Sequence, residues 1–234
     1  MKRFTALAAL AALTACGSDP SPAPSPTPTA TVAAPRTLVA SDFDPSELGA
    51  RYESPQGSEI ESPFVVAGGE TIAEMTSFVA CRRDATSCNP DEMPAGTVYT
   101  YVHRITLSDA VAVEEPTDEE TPEAAASSQI PQIGTTLFRT ARPAAGFNFS
   151  VGYSRDEAEA ALGSPDAIGV SLDQEQLIWR VTGGSGWKPG ATITFWWQST
   201  LPPERPGKAY ALTVRGQEAE VGAPFPVEAK KAAD

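Results

Sequence analysis

Phe147-Asn148-Phe149-Ser150-Val151-Gly152-Tyr153-Ser154-Arg155-Asp156-Glu157-Ala158-Glu159-Ala160-Ala161-Leu162-Gly163-Ser164-Pro165 holds the change of period on which the fold turns. Phe147, Phe149, Val151 and Tyr153 alternate with small or polar residues, the period-two signature of a strand with one apolar face. At Ser154 the pattern changes. A serine followed three residues on by Glu157 matches a capping box, in which the hydroxyl takes the N3 amide and the carboxylate reaches back to the cap. Ala158, Ala161 and Leu162 supply an apolar helical face, Gly163 suits a C-terminal cap, and Pro165 stops continuation. The spacing predicts a strand over 147–153 and one short helix near 154–163.

Strand patterns dominate on either side. Downstream, Ile168, Val170 and Leu172, then Leu177, Trp179 and Val181, alternate about a polar turn at Asp173-Gln174-Glu175. Further strands are expected over Ala191–Gln198 and Lys208–Arg215, joined through the loop Pro202–Gly207, so 130–228 reads as an antiparallel meander with one helix. Upstream, Phe64-Val65-Val66-Ala67 runs into Gly68-Gly69, a hairpin turn, with Thr71–Met75 as the returning strand. Ile72, Met75 and Val79 also fit helical spacing, so that stretch reads either way. Val98-Tyr99-Thr100-Tyr101-Val102-His103-Arg104-Ile105 is the clearest strand of this half. The fold class expected is mainly β, with antiparallel sheets in a sandwich-like arrangement and one short α-helix. Residues 109–129 carry Glu114, Glu115, Asp118, Glu119, Glu120 and Glu123 among Pro, Thr, Ala and Ser, the composition of a solvated acidic linker or loop. The β-rich stretch 36–108 and the meander at 130–228 are then two lobes, or one domain interrupted by that loop. Residues 229–234 are a tail.

The N-terminus says where the chain resides. Lys2 and Arg3 precede about ten mostly apolar residues, Phe4–Leu13, a signal-peptide core too short for the roughly 20 residues of a membrane span. Leu13-Thr14-Ala15-Cys16 resembles the lipobox of bacterial lipoproteins. The resemblance implies cleavage of 1–15 and lipidation of Cys16, where each buried methylene contributes about 0.8 kcal/mol and two or three chains make a stable anchor. In that family aspartate after the cysteine favours inner-membrane retention. Gly17 stands there, which implies an outer-membrane lipoprotein facing the periplasm. Pro20, Pro22, Pro24, Pro26, Pro28 and Pro35 punctuate the following residues, and 16–35 reads as a lipidated cysteine on a semi-rigid polyproline-type stalk, at about 3.1 Å per residue.

Removing 1–15 leaves 219 residues and moves the net charge from −13 to −15, because the leader carries Lys2 and Arg3 and no acid. So acidic a chain is a poor nucleic-acid binder. With Cys16 lipidated, Cys81 and Cys88 remain, six residues between them, and in an oxidising periplasm they read as a disulfide that stabilises by about 2–3 kcal/mol. One histidine and no second cysteine pair cannot complete a zinc site, and the acidic residues lack the spacing of a calcium loop. No cofactor is expected.

Two further resemblances follow from motifs. Pro94-Ala95-Gly96-Thr97 running into alternating tyrosines resembles a strand of fibronectin type III and other immunoglobulin-like sandwiches, over about 94–105. Gly152-Tyr153-Ser154-Arg155-Asp156-Glu157 with Ala161-Leu162-Gly163-Ser164-Pro165 resembles the glycine–helix–leucine–glycine–x–proline motif of SmpA/OmlA-type outer-membrane lipoproteins, relatives of the BamE subunit of the β-barrel assembly machine. Trp179, Thr192–Phe195 and Ala211–Val214 follow in that family's order, so the likeness covers about 147–215. The strand at Phe147–Tyr153 stands where the family has a helix, and the first half has no counterpart. The resemblance implies an accessory role in envelope assembly.

Candidate chemistry is sparse. His103, the sole histidine, aligns at period two with Tyr99, Tyr101 and Ile105 and reads as a half-buried strand residue; its strand offers no adjacent acid or serine for a triad. No catalytic or metal residue is assigned. Trp196 and Trp197 are neighbours on a strand and must face opposite ways. Trp187 sits in the glycine-rich stretch 183–190, where it either folds back as a lid or stands exposed. Trp187, Trp197, Tyr99 and Tyr101 are the candidate ligand-binding residues, able to stack on a sugar or grip a protein. The expected function is non-catalytic binding or scaffolding by a lipid-anchored envelope protein, with a carbohydrate- or peptidoglycan-binding sandwich as the alternative.

Overall fold

The computed structural model describes residues 34–109 and 136–228. The leader at 1–15, Cys16 and the stalk as far as residue 33, the acidic stretch from 110 and the tail at 229–234 lie outside the described residues. Within them the chain is mainly β. Its strands are β1 (Arg36–Leu38), β2 (Ser41–Asp42), β3 (Leu48–Arg51), β4 (Ile60–Val65), β5 (Thr71–Arg82), β6 (Tyr99–Leu107), β7 (Thr136–Thr140) and β8 (Phe147–Tyr153). The helix α1 (Arg155–Leu162) precedes β9 (Ile168–Asp173), β10 (Gln176–Val181), β11 (Thr192–Ser199), β12 (Pro203–Val214) and β13 (Gln217–Pro226).

Two sheets form the expected sandwich. One runs β1-β9-β10-β7-β12-β13; the other runs β2-β8-β11-β6-β5-β3, with β4 also beside β5. Every pairing is antiparallel except the short parallel contact of β2 with β8. The inward rows of both sheets merge into one core that includes Met75, Ile105, Phe138, Val151, Trp179, Phe195, Trp197 and Tyr210. Of the two arrangements left open above, two lobes or one interrupted domain, the single core matches the second. β5 and β6 from the first half and β8 and β11 from the second lie in the same sheet. The meander is corrected, because the strands of 136–226 are divided between the two sheets, β8 and β11 in one and β7, β9, β10, β12 and β13 in the other. A period-two face shows that a strand has an inside, but not which of two opposed sheets it joins.

Local signals held where the chemistry was local. β4 and β5 form the hairpin at Gly68-Gly69, and the strand alternative for Ile72–Val79 prevails, since Met75 and Ser77 pair across β4 and β6. Gln174 and Glu175 both adopt positive φ in the β9–β10 turn. In α1, Ser154 Oγ accepts from Glu157 N and Gly163 takes the left-handed conformation at φ 83°. Two details differ. Glu157 does not close the capping box: its Oε2 accepts from Thr194 N at 2.6 Å, bridging α1 to β11 just beyond the end of β8. Phe149 leaves the apolar row of β8. Its φ of 71° turns the side chain out to 55 % exposure, with the Arg36 guanidinium 4.8 Å above the ring.

The segment between β2 and β3 positions the site. β2 pairs with β8 at one margin of its sheet and β3 with β5 near the other, so residues 43–47 cross the outer face of that sheet as a strap. Phe43 and Leu48 from the strap, with Trp196, cover a second apolar cluster of Phe78, Ala80 and Val102 on that face. A glycine lets the backbone close at each end. A Cβ on Gly152 would lie 1.8 Å from Ser41 O, and one on Gly49 2.0 Å from Arg82 O. Asp42 Oδ1 accepts from Arg155 N at 2.9 Å, so the strap begins on an acid held at a helix N-terminus.

Candidate functional site

The four aromatic residues singled out from the sequence are not a ligand platform. Tyr99, Tyr101, Trp187 and Trp197 are all buried, and this corrects the expectation that they bind a ligand. Trp197 stacks on Tyr101 at 4.9 Å and donates from Nε1 to Tyr210 Oη at 3.2 Å, deep between the sheets. Burial holds the phenols of Tyr101 and Tyr210 well above the usual range, so both stay neutral. Trp187 folds back. Its Nε1 donates to Ala191 O at 3.0 Å and its ring meets Phe195 edge-on. The loop that carries it also serves the helix: Lys188 N donates to Ala161 O and Ser185 N to Leu162 O, satisfying carbonyls at the C-terminus of α1. Removing these large apolar surfaces from water outweighs any gain from presenting them.

Cys81 and Cys88 are bonded, with Cα atoms 5.6 Å apart, and both are buried. They tie the end of β5 to the segment that leads to β6.

His103 is more deeply placed than a half-buried strand residue. It has no exposure, and its ring lies 4.0 Å from that of Tyr210 and 5.7 Å from that of Phe138. Ser77, its cross-strand partner on β5, places Oγ 2.9 Å from His103 Nδ1. That is the spacing of an activated nucleophile and its base. No local motif marks this serine, because the strand pairing that brings it there is not local. The pair is sealed within the core with Ser77 also buried, and His103 Nε2 has no hydrogen-bond partner. Burial pushes the imidazole pKa down to about 3, which keeps it neutral. Among the described residues no group of three His, Cys, Asp or Glu side chains is placed to hold a metal ion.

The concave feature with binding chemistry lies elsewhere, under the strap. A cleft of about 400 Å³ opens between the strap and the outer face of the sheet. Phe43, Pro45 and Leu48 form its roof, while Phe78, Arg104 and Thr194 from three adjacent strands form its floor. Arg51 and Glu157 complete the wall. Arg51 is oriented twice: its guanidinium lies 4.0 Å over the Phe78 ring and pairs with Glu59. Arg104 is exposed and makes no ion pair among the described residues. No motif marks these residues, because two isolated arginines 53 positions apart carry none; the pairing of β5, β6 and β11 and the crossing of the strap bring them to one cleft. Comparison of the sequence and fold with protein families, characterised proteins and solved structures finds no match.

Proposed function

We infer that the chain is a lipid-anchored envelope protein whose folded domain has a non-catalytic binding or scaffolding role at the outer membrane, as an accessory to envelope assembly. The observation that carries this reading is the run Leu13-Thr14-Ala15-Cys16, followed by a proline-rich spacer that ends where β1 begins at Arg36. Such an arrangement holds a domain at a membrane while leaving its surface free to meet a partner. A binding role is favoured over a catalytic one because the sole imidazole is neutral and enclosed, whereas the cleft under the strap offers cations and apolar surface. The glycan-binding alternative loses the aromatic platform on which it rested.

In-cell crosslinking of the full-length chain tests the reading, with a photoreactive phenylalanine at Phe43 and a control at Arg215. Adducts with β-barrel assembly components from position 43, absent from 215 and lost in Cys16→Ser, support it. Palmitate labelling that survives Cys16→Ser, or adducts indifferent to position, would overturn it.

A further inference from the structure

We propose that the cleft under the strap is a binding site for a phosphate monoester carried on a small apolar body. The proposal rests on the binding role inferred above and gives that role a ligand class. Taken as a sphere, 400 Å³ is about 9 Å across, within the range of small-molecule sites. Arg51 and Arg104 both line that space, in a chain whose net charge is −13. Arg51 is already turned by Phe78 and Glu59, so little of its rotamer freedom is left to lose on binding. Arg104 has no carboxylate partner among the described residues and keeps its donors for a ligand.

The number of donors selects the anion. A single arginine fork satisfies both oxygens of a carboxylate, whereas a phosphate monoester has three free oxygens and can accept from two forks. Phe43, Pro45 and Leu48 form an apolar roof, which suits an aryl or alkyl body on the ester oxygen. Glu157, the acid in the wall, has its Oε2 taken by Thr194 N, a donor on the helix side of β11, so the phosphate sits against the arginines.

Calorimetric titration of the full-length, detergent-solubilised protein tests the assignment, with phenyl phosphate as probe and benzoate, inorganic phosphate and benzyl alcohol as comparators. Saturable binding of phenyl phosphate is expected, weakened tenfold or more by Arg104→Gln and partly restored by Arg104→Lys. Arg215→Gln should leave it unchanged, and thermal midpoints of all variants should match the parent. Benzoate binding as tightly as phenyl phosphate would overturn the phosphate assignment. Equal binding of benzyl alcohol, no binding at 10 mM probe (roughly a −2.7 kcal/mol limit), or equal loss in Arg215→Gln would overturn the site. Position-specific crosslinks from Phe43 without phenyl phosphate binding would sink this proposal and leave the binding role standing; the reverse result would do the opposite.

Discussion

Acidifying the protein from pH 7 to pH 5 should destabilise it through one residue. His103 is the only histidine, and burial lowers its pKa to about 3 against 6.5 for a free imidazole. Between those values the unfolded chain binds a proton that the native chain refuses, so stability rises with pH in this window. The contribution is fully present above pH 6.5 and is lost progressively as pH falls towards 3. At pH 5 the linkage relation gives a loss of about 2.1 kcal/mol and at pH 7 a loss of about 0.2 kcal/mol, a difference of roughly 2 kcal/mol. The Asp44 and Glu218 carboxyls, held below their ordinary values of 3.8 and 4.5 by hydrogen bonds from Ser46 and from Arg139, also lose stabilisation as pH falls, but mainly below those ordinary values and so beneath the pH 5–7 window. Urea denaturation at the two pH values is the assay. With a slope of about 2 kcal/mol per molar, the midpoint should fall by about 1 M at pH 5. A double variant, His103→Leu with Ser77→Ala, removes the imidazole together with the hydroxyl it would leave unpaired, and should flatten the dependence. The reasoning is refuted if the parent midpoint moves by less than 0.2 M (about 0.4 kcal/mol at that slope), or if the double variant keeps the full shift.

Two more outcomes follow from the covalent tie and the strap. Cys81→Ala with Cys88→Ala opens a loop of sequence separation 7, and chain entropy places the loss at about 2.4 kcal/mol. For a domain of this size that is roughly 5–10 °C in melting temperature, and reductant should lower the parent by a similar amount and the double variant not at all. Gly152→Ala places a methyl 1.8 Å from Ser41 O and 2.9 Å from Trp196 Nε1, which forces β2 away from β8. A loss of about 1–3 kcal/mol is expected, with faster hydrogen exchange at Phe43, while Gly68→Ala, which meets nothing within 4 Å, should change little. Unchanged exchange at Phe43 in Gly152→Ala would show that the strap is not held there.

Features set by residues within one turn of each other were legible before the structure. Ser154 and Gly163 bound α1 because capping needs only a side chain and a backbone amide three or four residues away. The hairpin at Gly68-Gly69 and the inward row of Tyr99, Tyr101, His103 and Ile105 were legible for the same reason. What depends on a distant partner was not. The capping-box acid went to Thr194 because β8 ends early and leaves that amide open. Phe149 was read into the core from its period, and a single positive φ reverses it. β13 escaped notice although Arg215 and Gly216 form its turn with positive φ at both positions, since Gln217–Glu220 opens with polar residues on an outer strand. The cleft shares this origin: its arginines come from β3 and β6, and only the strap makes them neighbours.

The interleaving of the two halves also governs when the protein can take shape. Trp196 in β11 pairs with Val102 on one side and Gly152 on the other, and β12 pairs with β7 and β13. A chain delivered N-terminus first presents the β4–β5–β6 hairpins long before β11 arrives to cover β6. During that interval β6 is an open edge carrying a full inward row of tyrosine, histidine and isoleucine, the kind of surface that pairs with the wrong neighbour. Non-local pairing of this order also slows folding towards the millisecond-to-second range. Until β11 has emerged β6 stays uncovered, so the yield of the finished sandwich should depend on the rate of delivery as well as on its stability.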